Sequence, residues 1–232
     1  MRAQYQLVTA HFGVERLALV TGWSMGAGQT YQWAVSYPDM VERIAPFCGS
    51  SVTSEHNQVF LEAVKFALTA DAAFRNGWYD EKPTLGLRAV GRVYAGWGLS
   101  QAFYWQQIYK QLGYSSLEDF LIGYWEGLFL IDRDPNDLLN QLWTWQNGDV
   151  GKTPGFDGDT ERALASIQAK ALIMPAEKDL YFPPEDEQWA AQFIPDAEVR
   201  VIPGAWGHFA GGGDNPADVA FIDKGIAELL AR

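Results

Sequence analysis

Three residues carry the chemistry this sequence can do: Ser24, Asp179 and His208. A serine hydroxyl is a poor nucleophile at neutral pH until a base removes its proton, and an imidazole base needs an acid that fixes its tautomer and stabilises the imidazolium. Ser24 stands in Gly22-Trp23-Ser24-Met25-Gly26, a G-x-S-x-G spacing. A nucleophile there must stand exposed on a strained turn, and small residues on either side let strand and helix approach closely. His208 follows Gly207 and precedes Gly211-Gly212-Gly213, a loop that must bend tightly. The other histidines, His11 and His56, read as helix-surface or insertion residues without a catalytic role. Asp179 competes with Glu177 and Asp186 as the acid. Asp186 falls within the following helix and Glu177 comes before the loop has fully left the strand, which favours Asp179. The backbone N–H of Met25, next after the serine, is one oxyanion donor.

These residues need elements that bring them to one edge. Leu17-Ala18-Leu19-Val20 has the continuous apolarity of a strand covered on both faces, and Gly28 to Val35 continues as a helix towards Tyr37-Pro38. A helix over residues 2–12 precedes the strand, and 41–51 gives a second strand with its loop. Sheet-type sequence returns at 169–176, then a helix from Pro184 to Phe193, a last strand at 197–203, and a closing helix from Asn215-Pro216 to Leu230. This alternation predicts an α/β fold with a doubly wound, mostly parallel sheet, whose loops at the carboxyl ends of the strands gather on one edge. The expected core is 1–51 with 167–232.

Between them, residues 52–166 are helical in periodicity and contain no strand-like run, which predicts a helical cap. Candidate helices are Asn57 to Phe74, Gly86 to Leu112, Ser116 to Ile131 and Pro135 to Trp145, with Gly96, Gly98 and Gly113 breaking the second. Six tryptophans fall there, Trp78, Trp97, Trp105, Trp125, Trp143 and Trp145. They serve either as the core of the small helices or as walls of an aromatic pocket.

The net charge of -12 among 232 residues argues against nucleic acid or an anionic membrane as a partner. Cys48 is the only cysteine, so no internal disulfide forms, and its apolar neighbours make it a buried structural thiol. No apolar run is long enough to span a bilayer and no signal core opens the chain, so the expectation is a soluble cytoplasmic protein. The histidines and Cys48 lack zinc-ligand spacing, so no metal is expected.

The chain order Ser, Asp, His is that of the α/β-hydrolase triad. The segments GWSMGAGQTYQWAVSYPDMVERI, AEKDLYFPPEDEQWAAQFIPDAE and GHFAGGG resemble the homoserine O-acetyltransferase-like branch of that superfamily, over the C-terminal two-thirds of a usual member. The resemblance implies Ser24 as nucleophile, Asp179 as orienting acid and His208 as base. It implies an acetyl group moved from acetyl-CoA to a hydroxyl, no bound cofactor, and a helical insertion over the pocket. The expected partners are a small-molecule acyl donor and a hydroxyl acceptor, with a homodimer as an open alternative to a monomer. Amino-acid-acetylating members carry Asp directly after the catalytic His, where this chain has Phe209. The first strands and the second oxyanion donor of a usual member have no counterpart here, which would leave the Leu17–Val20 strand as a sheet edge. An esterase of the same fold and a non-catalytic remnant are the alternatives to an acetyltransferase.

Overall fold

The structure, a computed structural model, describes residues 1–131 and 133–232. It divides into two compact units, one comprising Met1–Val52 and Gly148–Arg232, the other Thr53–Asn147. The first unit holds all the strands among the described residues: β1 (Val20–Trp23), β2 (Arg43–Phe47), β3 (Lys170–Ile173) and β4 (Ala197–Val199). They form one parallel sheet in the order β1-β2-β3-β4.

Successive side chains in β2 and β3 leave on opposite faces, and each face has its own core. Ile44 and Ile173 pack with Tyr31 and Ala34 of the helix Met25–Ser36 and with Ala190 of the helix Pro184–Ala191. Ala45, Leu172 and Met174 pack with Ile222 and Leu229 of the closing helix Pro216–Leu230. Apolar cover on both faces explains why these strands read as short continuous apolar runs.

β1 differs from its expected position. Leu17 makes only an isolated bridge to Val41, and the strand proper runs from Val20 to Trp23, partly exposed. It lies at one end of the sheet with a strand partner on one side only, so it is less covered than β2 or β3. Its pairing with Ile44–Phe47 carries it up to Ser24, where the expected turn falls.

The insertion is also shorter than the expected 52–166. Residues 148–166 belong to the sheet unit, where Val150, Ala163 and Leu164 join the core around Ile44. The helix Thr160–Ala165 there is capped by Asp159, whose carboxylate accepts the Arg162 N–H at 2.9 Å. Periodicity marks these apolar positions as buried and leaves open which core they enter.

The regular elements of the second unit are all helical among its described residues. Its helices are Glu55–Thr69, Thr84–Gly98, Gln101–Trp105, Leu117–Phe120 continuing through a π-helical turn into Gly127–Leu130, and Pro135–Gln146. Ser54, Ser100, Ser116 and Asp134 cap four of them through side-chain oxygens. The expected long second helix breaks at Leu99, where the backbone becomes extended just after Gly98, while Gly96 lies inside the helix. Phe60 packs against Tyr94, Trp97 and Trp145. Trp125 is fully buried, yet Trp78, Trp105 and Trp143 are 83%, 89% and 62% exposed, so those three rings add nothing to the core of that unit.

Candidate active site

The turn after β1 begins where the ladder ends. The Ser24 N–H donates to Phe47 O at 3.2 Å, and the chain then reverses at Ser24 with φ 59° and ψ -125°, a region L residues disfavour. The helix starts at Met25, whose N–H has no carbonyl partner within it, while the Ala27 and Gly28 N–H groups donate to Ser24 O. A Cβ at Gly22 would stand 2.5 Å from the Gly26 backbone, so only glycine permits the crossing. A Cβ at Gly26 would meet nothing within 4 Å. The elbow therefore needs a glycine before the serine for steric reasons, and after it only a backbone that can come close.

Asp179 follows β3, in a turn closed by its own N–H donating to Ala176 O at 3.1 Å. Its Oδ1 accepts the Tyr181 and Phe182 N–H groups at 2.8 and 3.1 Å. Oδ2 is left for His208 Nδ1 at 2.9 Å. His208 sits on a 3₁₀ turn, Gly207–Gly211, and its Nε2 lies 2.9 Å from Ser24 Oγ. With the imidazole proton on Nδ1 facing the carboxylate, Nε2 accepts the proton of the serine hydroxyl. Three groups from three strand ends thus form one hydrogen-bonded chain.

The rejected alternatives lie elsewhere in the bonding pattern. Glu177 is exposed and accepts the Gly204 N–H at 3.2 Å. Asp186 lies on the helix Pro184–Ala191. His11 and His56 are both exposed, His56 against the Trp97 ring. Cys48 is buried, and burial together with the Asp179 carboxylate pushes its thiol well up, which makes it a weak nucleophile.

Aromatic rings that sequence reasoning passed over box the imidazole. Trp23 stacks on His208 with centroids 5.1 Å apart, and its indole N–H donates to His208 O at 3.0 Å. Tyr181 meets the ring edge-on at 4.8 Å and Phe182 lies at 5.5 Å. Phe209 packs edge-to-face on Trp23 at 5.7 Å. A Cβ at Gly211 would collide with Trp23 Cδ1, so the glycine run after the histidine makes room for the indole. The available signal was a bulky residue directly before the serine coupled with glycines in the histidine loop.

Among the described residues no three His, Cys, Asp or Glu side chains gather to hold a metal, and no helix is long and apolar enough to cross a membrane.

Residues 1–211 match the alpha/beta hydrolase fold family. The chain is 38% identical over 231 residues to an ethyl acetate hydrolase of Pseudomonas veronii, covering 99% of this chain and 65% of that protein. It is 32% identical over 219 residues to a homoserine O-acetyltransferase of Trichormus variabilis, covering 90% of this chain and 58% of that one. The structure of the acetyl esterase MekB superposes with a TM-score of 0.96 at 37% identity, over 100% of this chain and 67% of the other. The chain thus spans about 65% of the length of the esterase it resembles. By its sheet and its match over residues 1–211, the chain belongs to the α/β-hydrolase fold family.

Proposed function

We propose that this chain carries the nucleophile, base and acid of a carboxylic-ester hydrolase that cleaves short acyl esters through an acyl-enzyme on Ser24. The observation that carries the reading is the chain of hydrogen bonds from Ser24 Oγ through His208 to Asp179, at 2.9 Å in each link, with the serine held at positive φ.

The Ser24 hydroxyl gives its proton to His208 Nε2 as Oγ attacks the acyl carbon. Asp179 Oδ2 holds the Nδ1 proton and offsets the imidazolium charge. The Met25 N–H at the helix start is one donor to the developing oxyanion. Collapse of the tetrahedral intermediate breaks the C–O bond to the alcohol, which leaves with the proton from Nε2. Water, deprotonated by the same nitrogen, then attacks the acyl-Ser24 ester and releases the carboxylic acid, and the proton returns to Oγ.

Transferase and esterase share these steps and differ in the acceptor. Phe209 stands where amino-acid-acetylating members of the resembling branch carry Asp, and it packs its ring on Trp23. A site with that ring in place of a carboxylate lacks a charge to hold the ammonium of homoserine, which favours water. The similarity to an ethyl acetate hydrolase and an acetyl esterase supports the same acceptor and an acetyl-sized acyl group.

Mass spectrometry after p-nitrophenyl acetate tests the reading. We expect a transient acetyl adduct on Ser24, absent in Ser24→Ala, with hydrolysis of the ester and no transfer from acetyl-CoA to homoserine. An adduct that persists in Ser24→Ala, or none in the folded wild type, overturns the nucleophile. O-acetylhomoserine formation overturns the choice of acceptor.

A further inference from the structure

One buried polar pair of the sheet unit plays no part in the steps above. Tyr31 and Glu187 are both 0% exposed, and the Tyr31 hydroxyl donates to Glu187 Oε2. The other carboxyl oxygen, Oε1, is buried without a hydrogen-bond partner. Stability alone does not explain such a pair, because two apolar side chains of the same volume would fill the space without stranding a polar atom.

Its place in the fold suggests what it does. Tyr31 lies about two turns into the helix that Ser24 opens. Glu187 lies in the first turns of the helix Pro184–Ala191, which the Asp179 turn feeds through Tyr181 and Phe182. The bond therefore joins the helix that follows the nucleophile to the helix that follows the acid's turn.

We propose that the Tyr31–Glu187 hydrogen bond ties these two elements together and that Glu187 is a positioning residue for the Ser24–His208–Asp179 chain. This rests on the acyl-transfer reading of that chain. Burial pushes the Glu187 carboxyl up to about 8, and the charges acting on it, Asp186 on its own helix and Asp179 in the preceding loop, are both negative; Tyr31 faces it from the elbow helix. A neutral Glu187 leaves Asp179 as the negative charge that acts on the imidazole from the acid loop. Ionisation above about pH 8 would put a second negative charge beside Asp179 and change the field at the imidazole, while the Tyr31 hydroxyl, then bonded to a carboxylate, holds Glu187 more tightly.

The test is a pH series from 6 to 10, in rough steps of half a pH unit, on the wild type, Glu187→Gln and Tyr31→Phe, with two readouts. One is the downfield proton resonance of His208 Nδ1–H, which reports the acid–base link whether or not the enzyme turns over. The other is kcat and KM on p-nitrophenyl acetate. In the wild type the resonance broadens and kcat falls about tenfold as Glu187 ionises, with KM little changed. Glu187→Gln, a neutral isostere, keeps the resonance and removes the fall. Tyr31→Phe lowers kcat at every pH, and should it not fold, Glu187→Gln carries the test alone. Wild-type and Glu187→Gln series that coincide in both readouts overturn the proposal. A resonance that behaves as expected in a chain that hydrolyses no ester overturns the acyl-transfer reading and leaves the positioning role standing.

Discussion

The two compact units hold their buried carboxyls in opposite ways. In the helical unit, buried Glu126 is paired with cations: Arg92 Nε at 2.6 Å and Arg88 Nε at 3.5 Å, both guanidiniums reaching solvent. In the sheet unit, Asp179 is equally buried and accepts the Tyr181, Phe182 and His208 N–H groups, and among the described residues no arginine or lysine is bonded to it. Glu187, close behind it in sequence, has a single hydroxyl. A carboxylate neutralised by guanidinium is a scaffold joint, because its charge is spent on its partner. One held by N–H dipoles keeps its field available to the imidazole that needs it.

The sharpest break in this comparison is Asp179→Asn. It keeps the shape and removes the charge, and kcat on p-nitrophenyl acetate should fall about 10⁴-fold, the loss expected when the imidazole tautomer is no longer fixed. The fold should survive, as a thermal melt of the variant would show.

The next effect is on stability. Glu187 ionises in the folded protein at about 8 against an ordinary value of 4.5. The unfolded chain therefore releases its proton first, and stability declines as pH rises from about 4.5 to about 8, with the full loss present above that window and none below it. At about 1.4 kcal/mol for each pH unit of that window, the decline is of order 3–5 kcal/mol. Urea midpoints of the wild type and Glu187→Gln, taken on both sides of the window, should converge in acid and diverge in base. A wild type no less stable in base than in acid, relative to that variant, would contradict a neutral Glu187.

Arg92→Met probes the contrasting joint. It leaves Glu126 with Arg88 alone, and because both guanidiniums are largely solvated the fall in the urea midpoint should be well short of the Glu187 effect, with kcat unchanged. The smallest effect belongs to Asp71, a partly exposed carboxylate of the helical unit that accepts the Gly86 and Ala73 N–H groups. Those bonds lower its pKa below 3.8, so its contribution is present above that value and disappears in acid. Asp71→Asn should cost under about 1 kcal/mol at neutral pH and progressively less as the carboxyl protonates in acid, read from the same urea curves.

Much of the site was legible in advance because its local constraints are written in adjacent residues. A glycine-bracketed serine after an apolar run, an aspartate after a second run and a histidine among glycines announce three strand-end loops, and the α/β order implies that such loops share an edge. Boundaries were less legible. β1 starts later than its apolar run, since hydrogen bonding to β2 rather than apolarity sets its span. The helical unit ends at Asn147 rather than near 166, because buried positions such as Leu164 do not declare which core they enter.

The sequence by itself determined the alternation of strands and helices and the helical insertion, and it singled out Ser24, Asp179 and His208, all from short-range pattern and residue chemistry. Only the tertiary structure decided that Trp23 covers the His208 ring across 185 residues and that Tyr31 meets Glu187 across 156. Such pairs depend on how far each helix is turned and how deeply each loop sinks onto the sheet. Those quantities are set by close packing of the whole unit, so no local stretch of sequence encodes them.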